Sequence, residues 1–143
     1  MENFNPPEWP RPSGYANGVA AQGRTLFVAG QVGWNPVTRM VETDDFAAQV
    51  KLALVHVAAV LRAGGATPSQ VTRLTWYITD KGAYLSSLSA IGAAYREVFG
   101  RHFPTMSVVV VAGLIEDRAK VEIEATAVVE GSPGPDSRRI PPG

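Results

Sequence analysis

The sequence predicts an α+β domain in which a mixed sheet of five or six strands carries two helices on one face. Three observations predict it. Apolar residues alternate at period two over Lys120–Val129. They recur at helical spacing over Phe46–Leu61 and again over Tyr84–Phe99. Strand-like and helix-like segments interleave in the order β-β-α-β-α-β-β, which layers helices against a sheet. A chain of 143 residues has room for one such domain.

Each element has its own signal. Val19–Gln22 and Thr25–Ala29 read as short strands around Gly23-Arg24, the pattern of a tight hairpin. The loop from Gly30 to Thr43 contains Gly33, Pro36 and a second possible hairpin near Asn35–Met40. Asp44 or Asp45 caps the first helix, whose stripe is Phe46, Val50, Leu54, Val57 and Leu61. Gly64-Gly65 stops it. Val71–Thr79 reads as a strand with Leu74, Trp76 and Ile78 on one face. Tyr84, Leu88, Ile91, Tyr95 and Val98 or Phe99 trace the second helix, ended by Gly100. Thr105–Val111 and Lys120–Val129 complete the sheet, the latter setting Val121, Ile123, Ala125, Ala127 and Val129 against Glu122, Glu124, Thr126 and Val128.

Two helices can cover only one side of that sheet. The run Val108-Val109-Val110-Val111 has no polar face, and such strands are ordinarily buried on both sides. The expected second cover is another copy of the chain. Proline sets the outer limits: eight of the eleven prolines fall in the first twelve or last eleven residues. The expected organisation is therefore a Pro-rich arm over 1–12, a folded unit over 13–130 and a Pro/Gly-rich tail over 131–143.

Composition narrows the chemistry. Lys+Arg and Asp+Glu are equal at 13 each, so phosphate neutralisation on nucleic acid and docking on an anionic membrane are both disfavoured. The absence of cysteine excludes disulfides, a thiol nucleophile, thiolate-bound zinc and iron–sulfur clusters. Two histidines make a histidine-based metal site within one chain unexpected. The first twelve residues hold four prolines and no apolar run, unlike a signal peptide. The aliphatic stretch Val108–Ala112 is too short to span a bilayer. These features lead us to expect a soluble, cytoplasmic protein.

Several segments, taken in order, resemble the RidA/YjgF/YER057c/UK114 family of reactive-intermediate imine deaminases. They are Gly14-Tyr15, Val28-Ala29-Gly30-Gln31, Gln49, Leu61–Gly65, Tyr77-Ile78-Thr79-Asp80, Phe103-Pro104-Thr105-Met106-Ser107 and Val121–Val128. The resemblance covers roughly Ser13 to Glu130. It implies a chorismate-mutase-like fold and a homotrimer with sheets inward, helices outward and a cleft between each pair of subunits. It also implies small 2-imine or 2-enamine acids as ligands, hydrolysed to 2-keto acids and ammonia without metal or organic cofactor.

The resemblance assigns roles residue by residue. Tyr15 would line the cleft, the Gly30-Gln31 backbone would border the ligand, and Glu122 would hold or activate the attacking water. Three positions depart from the family. Met106 stands where the deaminases place an arginine that pairs with the ligand carboxylate, and Ser107 after it, which keeps the family's serine, is a further candidate to border the ligand. Val108 stands where they often have cysteine, and Gly92 where they tend to have asparagine. Trp34 is a candidate wall of the cleft. Arg101 and His102 are candidates to replace the arginine, although both also suit the C-terminus of the second helix. The expected activity is hydrolytic deamination of an imine or enamine other than 2-aminoacrylate, and the alternative is a trimeric metabolite-binding protein without turnover. The endoribonuclease and translation-inhibitor labels of some relatives gain little support from zero net charge and two histidines.

Overall fold

The strands of the computed structural model, which describes residues 1–131, are β1 (Glu2–Phe4), β2 (Gly18–Ala20), β3 (Arg24–Val32), β4 (Val71–Ile78), β5 (Thr105–Val110) and β6 (Val121–Val129). The helices are α1 (Phe46–Ala63), α2 (Lys81–Ser86) and α3 (Leu88–Phe99). Past Gly131, the Pro/Gly-rich tail lies outside the described residues.

The main sheet has the order β3-β6-β4-β5. β6 runs antiparallel to both neighbours, and β4 pairs with β5 in parallel. The α+β class and the mixed sheet agree with the sequence. The helices cover one face, where β4 and β6 present Val71, Leu74, Trp76, Ile78, Val121, Ile123, Ala125 and Ala127. α1 meets this layer with Val50, Ala53, Leu54, Val57 and Leu61, all of them sealed from solvent. Asp45, not Asp44, caps it, accepting a hydrogen bond from the Ala48 amide at 2.8 Å. By length and composition alone α1 is apolar enough to cross a membrane, but its apolar stripe is packed in the core.

Four sequence expectations need correction. The hairpin around Gly23-Arg24 does not form. β2 pairs instead with β1, in register from Glu2↔Ala20 to Phe4↔Gly18, and β3 pairs with β6. Gly23, at φ 151°, is pressed against the Val129 backbone and leads β3 into the sheet. The Pro-rich arm is accordingly not free, because its first residues form β1. The second helix is not continuous but two helices: Asp80 caps α2, and Ser87, at φ −112° and ψ 11°, separates it from α3. Finally, the main sheet has four strands and not five or six, because β1 and β2 pair with each other apart from it. β5 is an edge strand, with Val109 41% and Val110 55% exposed. The face of the sheet opposite the helices is bare and carries Phe27, 80% exposed.

One polar side chain is completely buried among these apolar layers. Gln49, on α1, donates to the Thr43 carbonyl at 2.8 Å and the Arg118 carbonyl at 3.1 Å, and accepts from the Lys120 amide at 2.8 Å. It thereby joins the loop before α1 to the segment leading into β6. Gly33 lies against the same turn of helix, where a Cβ would stand 2.8 Å from the Gln49 Cα. Arg118 adds bonds to the Val41 carbonyl and to Asp44, and its guanidinium holds the Asp44 carboxyl below the usual aspartate range.

The end of α3 is held by aromatic stacking. Tyr95 stacks on Phe99 and Phe103 at centroid distances of 5.2 and 5.7 Å. Its hydroxyl donates to the His102 carbonyl at 2.5 Å. Burial pushes the Tyr95 phenol well above its ordinary value.

Two predictions follow from this packing. Gln49→Leu leaves two carbonyls and one amide without their partner, and should lower unfolding free energy by about 2–3 kcal/mol in urea titrations. Because the Tyr95 pKa is raised on folding, its contribution is intact below about pH 10 and lost as pH rises through the folded value. The decline in stability above pH 10 should therefore be shallower in Tyr95→Phe by up to about 1.4 kcal/mol per pH unit, measured by chemical denaturation across the alkaline range.

Candidate functional site

The predicted site residues fall into two groups on opposite faces of the sheet. Met106 and Val108 lie opposite Leu74 and Trp76 on β4, and so face the helices. Glu122 lies opposite Tyr77, one position out of phase, and so faces away from them. No rotamer change brings these side chains together within one chain.

The first group surrounds an open-sided cavity of about 650 Å³ between β5, α3 and the segment before β2. The amide of Ala16 donates to the Pro104 carbonyl at 3.0 Å, and Ala16 bridges to Thr105, which docks that segment beside β5. Gly14, at φ 77°, turns the chain just before Tyr15. Tyr15, Gly92, Met106 and Val108 all line the cavity. Trp76, Tyr84 and Arg96 also line it and were not predicted. A signal for Arg96 was present, since it follows Gly92 by one helical turn.

The second group surrounds a smaller cavity of about 340 Å³ lined by Gly30, Trp34, Arg39 and Glu122, with Leu114–Glu116 at its edge. The β3–β6 register slips between Val28 and Gln31, and this bulge carries Gly30. The Glu122 carboxylate lies over Gly30, in the space that a side chain there would take, so any larger residue would have to push the carboxylate aside. Trp34 packs on His56, with ring centroids 5.6 Å apart, and its carbonyl bonds to His56 Nε2 at 2.6 Å.

The two carboxylates of β6 differ. Glu124 accepts a hydrogen bond from the Tyr77 hydroxyl at 2.7 Å. That bond, assisted by desolvation, raises the Tyr77 pKa. Glu122 has no side-chain hydrogen-bond partner among the described residues and is open to a ligand or water.

The remaining candidates lie elsewhere. Ser107 is exposed, paired in register with Thr75 outside both cavities. Gln31 folds back to donate to the Ala29 carbonyl at 3.1 Å. Arg101 is exposed beyond the end of α3. His102 Nε2 bonds to the Val71 carbonyl at 2.6 Å, fastening the connection after α3 to β4. His102 is thus occupied structurally, and neither it nor Arg101 lines the Met106 cavity. Among the described residues no three His, Asp or Glu side chains gather as a metal site.

Comparison with known proteins is consistent with this geometry. The family described as "Endoribonuclease L-PSP" matches residues 10–129. The chain is 32% identical over 121 residues to the 2-iminobutanoate/2-iminopropanoate deaminase of Dermatophagoides farinae, covering 85% of this chain and 91% of that one. It is 35% identical over 117 residues to the enzyme of the same name from Escherichia coli K12, covering 80% and 86%. A crystal structure of YyfB from Yersinia pestis, described as a Rid-family protein of unknown function, superposes with a TM-score of 0.78 at 34% identity, over 90% of this chain and 98% of that one. The chain belongs to the endoribonuclease L-PSP family, also known as the RidA/YjgF family.

Proposed function

We propose that the protein is a hydrolytic deaminase of imine or enamine intermediates, working as a homotrimer with its site in the clefts between subunits. The observation that carries this reading is the separation of the two cavities. One face of the chain offers an aromatic, largely apolar recess around Met106, and the other offers the unpaired Glu122 carboxylate beside Gly30. Side-by-side assembly through the bare sheet face sets the Glu122 cavity of one subunit against the Met106 cavity of the next. The exposed Phe27 and Val109 then gain the cover that the chain itself lacks.

The chemistry needs few groups. Water adds to the imine carbon as Glu122 takes one of its protons, giving a tetrahedral carbinolamine. Glu122 returns that proton to the nitrogen and then relays the carbinolamine's hydroxyl proton to it as well, so the C–N bond breaks and ammonia leaves as the C=O bond forms. Aromatic walls limit bulk water and hold a planar substrate in position. Met106 and Val108 make this recess less polar than a site built on arginine and cysteine, which favours a substrate with more apolar surface than 2-aminoacrylate. The same apolarity supports the second reading, a metabolite-binding trimer without turnover.

Imines generated in situ by an amino-acid oxidase provide the test. The protein should accelerate 2-keto acid release from at least one aliphatic or aromatic imine, and Glu122→Gln should lose roughly 100-fold of that acceleration. Release at the buffer rate across the panel would remove the deaminase reading. In light scattering the protein should have a mass of about 45 kDa, three chains of 15.2 kDa. Val109→Asp should dissociate or aggregate it, because the new charge would be buried without a partner.

A further inference from the structure

The Met106 cavity is lined by a single charged side chain among the described residues, that of Arg96. The other side chains around it are aromatic, aliphatic or small. α3 sets Arg96 one turn beyond Gly92, on the same side of the helix. A Cβ at Gly92 would stand 3.2 Å from Arg96 Nη1, so the missing side chain leaves the guanidinium room to lie along the helix and over the cavity. Among the described residues the guanidinium makes no hydrogen bond or ion pair. The adjacent acid, Glu97, is engaged with Lys51 at 3.1 Å. A second donor in the same wall also lacks a partner: the indole N–H of Trp76, which is 2% exposed, meets no acceptor. An unpaired guanidinium at the margin of an aromatic recess suits a ligand with a planar apolar body and an anionic end. A carboxylate matches the guanidinium fork through two parallel charge-assisted hydrogen bonds.

We infer that Arg96 is the carboxylate-binding residue of this cavity, reaching it from α3 through the space left by Gly92, and that the ligand is a small carboxylate with an unsaturated or aromatic body. Met106 then packs on that body and has no part in binding its charge. The inference deepens the proposed deaminase reading and rests on it for the ligand's imine nitrogen, but not for its carboxylate.

Calorimetry with phenylpyruvate, a stable aromatic 2-keto acid, tests it, with phenylacetone as the matching ketone that lacks the carboxylate. Wild type should bind phenylpyruvate in preference to phenylacetone. Arg96→Gln should weaken phenylpyruvate by about 10-fold or more, and Arg96→Lys by less, with phenylacetone unaffected by either. Gly92→Ala should also weaken phenylpyruvate by crowding the guanidinium, while its melting temperature stays level or rises because alanine favours the helix. Equal phenylpyruvate affinity in wild type and Arg96→Gln would overturn the inference, as would wild type showing no preference for the carboxylate. The two readings fail separately. Arg96-dependent binding by a protein that hydrolyses no imine sinks the deaminase and keeps the anchor. Hydrolysis by Arg96→Gln at wild-type KM sinks the anchor and keeps the deaminase.

Discussion

The main sheet is covered by helices on one face only, and this uneven cover decides where the rest of the molecule can act. Side chains along a strand alternate between the two faces. Glu122 and Tyr77 therefore share the bare face, while Met106, Val108 and Trp76 share the covered one. A dry core requires the second set to be apolar up to the edge of β5. Beyond that edge the layer opens into the aromatic recess under α3. The bare face can be half polar because no helix lies on it, which leaves the Glu122 carboxylate accessible. Acid and recess are thus separated by the geometry of the strands, and only assembly of more than one chain can bring them together.

The connections that shape both cavities are fixed by polar groups whose alternatives are worse. Gln49 is tolerated at the centre of the core because its amide satisfies three backbone groups that would otherwise be buried unpaired. Arg118 and Lys120 hold the same loop from the other side, through the Val41 and Asp44 carbonyls and the Asp44 carboxylate. His102 acts similarly at the opposite end, where its ring and its carbonyl tie α3 to β4. This explains why a histidine close to a cavity does not act in it.

Much of this was legible in the sequence, and the exceptions have physical causes. α1 and β6 were plain because their buried residues keep one period over long runs. The Gly23-Arg24 hairpin was misread because a turn dipeptide between apolar residues does not reveal which strand will accept the pairing. The true partner of β2 is three residues long and sits in a proline-rich segment with no alternation to expose it. The break at Ser87 was invisible because the apolar stripe continues in phase across it. Tyr15, Gly92, Met106 and Val108, grouped by resemblance and not by periodicity, lie around one cavity, whereas Glu122 and Gly30, grouped with them, lie at another. Arg96 was overlooked because arginine near the end of a helix is ordinarily a solvated residue, and only the folded geometry shows that the glycine one turn earlier clears a space beside it.

The placement of the tryptophans has an optical consequence. Of the three, Trp9 is 57% exposed in the N-terminal segment, Trp34 stands in the wall of the Glu122 cavity, and Trp76 stands in the wall of the Met106 cavity. Each cavity therefore contains its own intrinsic fluorophore, in surroundings of different polarity. Emission from Trp76, sealed among apolar side chains, lies to the blue and responds to occupation of the aromatic recess. Emission from Trp34, beside the His56 ring, responds to whatever approaches the carboxylate. Two double variants, Trp9→Phe with Trp34→Phe and Trp9→Phe with Trp76→Phe, would each leave one emitter, so that filling of the recess and approach to the Glu122 carboxylate could be followed as separate signals in real time, without an added label.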